Sequence, residues 1–555
     1  MTTKRLLNGW LALLIGLALV SSYSGATSSS STNTVNCDPT QNQAAGCNQI
    51  GGYGGNEATA GVIGATIGGG GDQSLRNRVI GNFGTVGGGL DNIAGDRAMV
   101  GGGTGNRANG FRSVVGGGSQ NVADNDHTTI AGGVNNLASY TQATIGGGAN
   151  NVASGRDATI SGGSGNDALF TSASVGGGSY NIASSIDTTV GGGEHNTASG
   201  AFSTVGGGAG NVANEYNAAV GGGSGNVSSA DSATIAGGLA NHATDKYSVV
   251  GGGNANTAGN GNNDLRDAQY STVSGGSHNG AGGLASTVAG GTLNSATGAY
   301  AAIPGGTSNT AAGDYSFAAG RRANVQSDHR GTFLFADSND APFDSGAVNE
   351  FAARATGGVR FVTAIDHSGK PIAGVRLAEG SGSWETLSDR NAKTNFVPVD
   401  AQAILQRLAS LPISLWNYKT QSPSIRHLGP MAQDFYTALG LGTDDRYIST
   451  VDIEGVALAA IQGVSQIMHI QADQNAIQQQ QIAALANEVT AQRTQITAIE
   501  ARLSALEQNK TTATVTPSQT ATLASSPFEW LLLSMVGLMG LSRIQQVLRQ
   551  GRRSS

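Results

Sequence analysis

Of the chain's 555 residues, 87 are glycine, only 12% are charged and 5% are aromatic. That composition excludes one large globular core, and a net charge of −7 leaves no basic footprint for nucleic acid. At the N-terminus Lys4 and Arg5 precede an apolar run from Trp10 to Val20 and then Ser24-Gly25-Ala26, so residues 1–26 read as a secretory signal peptide. Residues 27–83 are rich in Ser, Thr, Asn and Gly and are expected to be loose. They hold both cysteines, Cys37 and Cys47, which in an exported protein are expected to close a small disulfide loop. A reactive or metal-binding pair is the alternative, although no histidine stands nearby.

From residue 84 to about 325 the chain is periodic. Triplets of small residues start at Gly101, Gly116, Ala131, Gly146, Ser161, Gly176, Gly191, Gly206, Gly221, Ala236 and Gly251, fifteen residues apart, each with asparagine five residues after its start (Asn106, Asn121, Asn136 and so on to Asn256). An earlier copy at Gly87 with Asn92 is one residue short. After an insertion around Asn260 to Asp267 the pattern resumes at Ser274, Ala289, Pro304 and Ala319, with Asn279, Asn294, Asn309 and Asn324. A fixed short period implies stacked units that cannot bury a face alone. The β-branched residue before each triplet, such as Val115, Ile130 or Ile145, predicts one apolar column inside a coil of short strands. Glycines are expected to supply positive φ at the corners. The asparagines are expected to form an amide ladder that satisfies backbone groups of neighbouring coils. These residues are scaffold. A calcium-binding nonapeptide solenoid would need a regular aspartate, and an ice-binding one a Thr-x-Thr array; neither pattern is present. No metal or cofactor motif is read.

Read as Val-Gly-Gly-Gly-x-x-Asn-x-Ala coils, this region resembles the head repeats of trimeric autotransporter adhesins. The resemblance implies a mainly β fold in which coils wind as a left-handed parallel β-roll, three chains side by side. Residues 326–387 then read as a β-rich neck, with alternating runs at Thr332–Ala336 and Gly358–Val362. A helix is expected from Asp400 to Leu411.

Between neck and helix stands Leu387-Ser388-Asp389-Arg390-Asn391-Ala392-Lys393. A serine hydroxyl five residues before a lysine is a candidate nucleophile and base, but the spacing does not share a helical face, so a turn must join them. Further on come His427-Leu428-Gly429-Pro430-Met431-Ala432-Gln433-Asp434, Tyr447-Ile448-Ser449-Thr450-Val451-Asp452 and Gly455-Val456-Ala457-Leu458. In that order these segments, over 388–464, resemble the intramolecular chaperone auto-processing domain of phage tailspikes and fibres. The resemblance implies an α+β domain that promotes trimerisation and then cuts itself off, with Ser388 as nucleophile, Lys393 as base and Leu387-Ser388 as the scissile bond. Gly429 and Gln433 match the family's Gly-x-x-Ala-Gln segment and would shape the site. His427 would either assist or serve as a packing and hydrogen-bonding residue.

From Ile461 to Leu506 apolar residues recur at alternating spacings of three and four, including Val464, Met468, Ile482, Leu485, Val489, Ile496, Ile499 and Leu503. This predicts a C-terminal trimeric coiled coil over 461–507, with polar layers at Gln471, Asn475, Gln478 and Gln492; a solvated single helix is the alternative. A linker at 508–526 precedes an apolar stretch at 527–548, expected to be a short membrane anchor or an interfacial helix, with a basic tail at 549–555. Together these features predict an exported, cell-surface or membrane-tethered homotrimer, its partners itself, the membrane and a host-surface or glycan ligand. Its head is an adhesin-like rod, or alternatively a glycan-degrading tailspike. The latter would need paired carboxylates, and Asp157, Asp187, Glu194 and Glu215 are scattered.

Overall fold

The structure is a computed structural model that describes residues 34–36, 46–262 and 264–510. The signal peptide, Cys37, most of the linker and the 527–548 stretch lie outside the described residues. Cys47 is disulfide-bonded. The chain divides into two compact units, one ending at Leu387 and the other beginning at Ser388.

The first unit is a parallel β-solenoid. Each regular coil contributes two two-residue strands and one isolated bridge, all in fifteen-residue register: Val114-Val115 opposite Thr129-Ile130, Val122-Ala123 opposite Leu137-Ala138, and Ser119 opposite Val134. In the coil from Val114 to Thr128 four side chains point inward and are fully buried: Val115, Asn121, Ala123 and Thr128. The core is therefore narrow, one branched side chain per coil. Alanine and a small third residue (Ser113, Thr128, Ala143) form further columns beside the β-branched one foreseen from the sequence. A coil this thin excludes water only when coils lie on both sides of it.

The asparagine ladder forms as expected. The Asn121 N–H donates to Asn106 Oδ1 (3.0 Å), while Asn121 Nδ2 donates to the carbonyls of Gly117 (3.0 Å) and Gly133 (2.8 Å). The third triplet glycine is the one that cannot change. At Gly118 φ is +92° and an added Cβ would lie 2.1 Å from the Gly133 carbonyl oxygen of the next coil.

Three expectations are corrected. Positive φ is not carried by glycine alone, because two corners of most coils place ordinary residues in the left-handed region, as at Gln120 (55°) and His127 (58°). That conformation costs roughly 1–2 kcal/mol per residue. It persists because each such N–H bonds the preceding coil, Gln120 to Thr104 O (2.8 Å) and His127 to Phe111 O (2.8 Å). Secondly, the coils begin well before residue 84. Asn48–Ile50 pairs with Thr66–Ile67, and buried Asn56 and Asn77 already form the ladder, so much of the segment expected to be loose is solenoid. Thirdly, Asn324 is not in the ladder. The coil after Gly306 is one residue short (Gly306 opposite Gly320), so Ala323 takes that place and its N–H donates to the last ladder amide, Asn309 Oδ1 (3.0 Å). Asn324 instead donates to Asp344 (2.6 Å).

The first part of the neck continues the solenoid with longer strands, Phe317–Arg321, Phe333–Ala336 and Phe351–Arg354, paired in parallel and lined by stacked phenyl rings (4.4 and 4.9 Å between centroids). It gives way to an antiparallel sheet of Val359–Ile365, Pro371–Leu377 and Trp384–Thr386.

The second unit holds helices α1 (Ala401–Ala409), α2 (Ala432–Leu439) and α3 (Thr450–Lys510), with a two-stranded sheet of Ser414–Trp416 and His427–Gly429. Asp400 caps α1 by accepting from the N–H groups of Gln402 (3.0 Å) and Ala403 (3.1 Å). Leu411, Phe435, Leu439 and Val456 form the small core, with Ile404, Leu408, Ala438 and Ile448 against it. Where α1 meets α3 the backbones approach closely enough that a Cβ on Gly463 would lie 2.5 Å from the Ala401 carbonyl oxygen. Beyond this contact α3 is exposed, and its three-four stripe, from Met468 (66% exposed) to Leu506 (64%), faces solvent. By length and composition alone α3 could also cross a membrane, its most apolar window reaching a mean hydropathy of 1.2.

Candidate functional site

The second unit opens with Ser388 followed by a short 3-10 turn, Arg390–Ala392. Asp389 starts that turn. Its carboxylate accepts from the Asn391 N–H (2.9 Å) and from Asn391 Nδ2 (3.1 Å), and its carbonyl accepts from the Ala392 N–H (3.1 Å). An aspartate bonding two residues ahead is a common way to start a tight turn, so local sequence explains the reversal. The turn closes with the Lys393 N–H on Arg390 O (3.2 Å). It brings Lys393 back onto Ser388, with Lys393 Nζ donating to Ser388 Oγ at 2.6 Å. Both side chains are exposed. Leu387, the last residue of the first unit, is 39% exposed and its N–H donates to Gly374 O (3.0 Å).

The other anticipated residues serve a different neighbourhood. His427 lies in a strand opposite Trp416, its Nε2 within 2.9 Å of Gln421 Oε1 and its ring against Trp416 (4.7 Å) and Tyr418 (5.7 Å). These contacts pack the ring against Trp416 and Tyr418 and tie it to Gln421. Gly429 ends the same strand. A Cβ there would meet Trp416 Nε1 at an ordinary 3.9 Å, so the position does not exclude side chains sterically. Gln433 sits in the first turn of α2 with its side chain exposed, and its carbonyl accepts from Thr437 Oγ1 (2.7 Å). Asp389 and Asn391 were not singled out from the sequence as shaping residues, although an Asp with Asn two positions later is a legible turn signal. Trp416, Tyr418 and Gln421, which fix His427, carry no comparable local signal.

Among the described residues no group of three or more His, Cys, Asp or Glu side chains is gathered to hold a metal. What the Ser388 site offers is a hydroxyl, an amine and a preceding peptide bond.

Residues 388–440 match the Peptidase_S74 family, described as chaperone of endosialidase. The match begins at the serine bonded to Lys393 and at the first residue of the second unit. That family indicates a self-cleaving chaperone domain. Joined to the parallel solenoid, it gives the organisation of a tail-fibre-like head followed by its chaperone. No curated protein matches the chain.

Proposed function

We propose that the protein is an exported homotrimeric fibre with an adhesin-like head, whose C-terminal domain chaperones assembly and then severs the Leu387-Ser388 bond. The Lys393-to-Ser388 hydrogen bond of 2.6 Å carries this reading. Ser388 Oγ lies next to the bond to be cut, so attack on the Leu387 carbonyl is intramolecular and gains from proximity. Lys393, as a neutral amine, takes the hydroxyl proton. The Oγ–C bond forms as the C–N bond breaks, and the released Ser388 amine receives the proton. Water then hydrolyses the ester, leaving a carboxylate at Leu387 and a hydroxyl at Ser388.

A solvated ammonium cannot accept a proton, and a lysine serves as base only after protein covers it or another cation crowds it. Both partners of the pair are exposed in the single chain. We therefore infer that chain association covers the pair and starts the reaction, which makes cleavage a record of correct assembly. The exposed stripe on α3 supports a parallel coiled coil as the clamp that brings three chains together. In this reading the signal peptide exports the chain, the 527–548 stretch tethers it with the basic tail inside, and cleavage frees the head to meet a host-surface or glycan ligand. Intact-mass measurement with N-terminal sequencing of the smaller fragment tests the chemistry: it must begin at Ser388. A start elsewhere would remove the assignment.

A further inference from the structure

The antiparallel sheet of the neck has no core of its own. Every residue from 346 to 400 stays at least partly accessible in the single chain, although Val359–Ile365, Pro371–Leu377 and Trp384–Thr386 pair along their length. Three antiparallel strands are stable when one face is packed and the other solvated. Neither face of this sheet is buried.

Register decides which face is which. Val359, Leu377 and Trp384 lie opposite one another, as do Phe361, Val375 and Thr386, and the two rows share a side. On that side Phe361 and Trp384 pack ring against ring at 5.7 Å, yet they remain 53% and 54% exposed. The other side carries Arg360, Arg376 and Glu385, with Arg376 Nε on Glu385 Oε2 (2.6 Å). Strand alternation has thus sorted the sheet into an uncharged aromatic and aliphatic face and a charged one. Exposed rings set among aliphatic neighbours, with the charges kept to the reverse, have the make-up of the core of an interface.

We propose that this apolar face is where the necks of three copies of the chain pack against one another. The inference rests on the reading of the protein as a self-cleaving homotrimer and adds to it the contact that outlasts the cut. Severing Leu387-Ser388 parts the head from the exposed stripe of α3, so heads that stay together must do so through residues before Ser388. The apolar face suits a symmetric contact because it sets no like charges against each other, whereas the reverse face would bring together Arg360 from each copy. The contact also bears on the bond that is cut. Leu387 follows Thr386 and donates its N–H to Gly374 O (3.0 Å), so it is held by the same sheet that association covers.

The full chain has cysteines only at Cys37 and Cys47, so a single cysteine placed in the neck reports its own neighbours. With a short bismaleimide, Phe361→Cys and Trp384→Cys should give covalent pairs of chains on a denaturing gel, and Arg360→Cys, on the reverse face, should not. Sedimentation of the released heads supplies a second measurement. Trp384→Asp sets three carboxylates together on this face and should raise the concentration at which the heads dissociate by about tenfold or more, while Arg360→Ala should leave it unchanged. A wild-type chain that sediments as a monomer would remove the trimer reading and the contact with it. A wild-type trimer in which positions 361 and 384 cross-link no better than 360, or Trp384→Asp heads that dissociate as wild type does, would overturn the contact alone.

Discussion

At the residue scale the Ser388–Lys393 pair and the asparagine ladder make separate demands. Ser388→Ala should abolish cleavage while chains still associate, since an exposed hydroxyl contributes little to packing. Lys393→Ala should stop it too, and Lys393→Arg should not rescue it, because a guanidinium keeps its proton near neutral pH. Undiminished processing of Ser388→Ala on a denaturing gel would end the protease assignment. In the ladder, Asn211 accepts from the Asn226 N–H (3.0 Å) and donates to Gly207 O (2.8 Å) and Gly223 O (2.9 Å). Asn211→Ala leaves these buried groups unpaired and should cost about 1–3 kcal/mol in urea unfolding; a cost within experimental error would mean the ladder is ornamental to stability. The ladder was legible because one residue type recurs at one spacing. The left-handed corners were not, since Gln120, His127, Tyr180 and Phe202 share a backbone conformation without sharing any chemistry. The Lys393 hydrogen bond was legible only as a need for a turn; Asp389 supplies it.

At the element scale, two glycines in α3 separate helix propensity from packing. Glycine inside a helix costs about 1 kcal/mol relative to alanine. At Gly455 a Cβ would find nothing within 4 Å, so Gly455→Ala should raise stability by up to about 1 kcal/mol. At Gly463 the same change drives a methyl to 2.5 Å from the Ala401 carbonyl oxygen, and backbone on backbone cannot yield cheaply. Gly463→Ala should therefore destabilise the second unit by roughly 1–3 kcal/mol. Thermal melts of both variants decide it, and equal effects would refute the close approach of α1 and α3. Helix α1 was readable from Asp400 and the run after it. Helix α2 was not, being eight residues entered from Met431 with no side-chain cap. The neck was legible as strands but not as solenoid: alternation at Phe333–Ala336 marks a strand but not its partner, and pairing with Phe317–Arg321 continues the solenoid.

At the scale of the whole molecule, association is the property to measure. The head ending at Leu387 should sediment as a trimer after processing, and a monodisperse monomer would overturn the fibre reading. Removing residues 388–507 should leave heads misassembled or aggregated, whereas soluble native trimers from that deletion would deny the chaperone role. Placing the tail inside the cell predicts that protease added outside intact cells spares a tag fused after Ser555. The division at Leu387 and Ser388 was visible in the sequence only through motifs, because composition drifts gradually there while packing changes abruptly.

The shortened coil at Ala323 and the phenyl stack after it finish the solenoid with a fixture that differs from the repeating part. Interior coils, by contrast, are nearly interchangeable, each offering the same carbonyls and the same amide to the next. Length is thus an independent variable. Excising fifteen residues, for instance 206–220, should shorten the rod by about 4.8 Å, one strand spacing, and leave both ends and the Leu387-Ser388 junction as they were. A lineage could thereby adjust its reach one coil at a time without re-evolving its assembly.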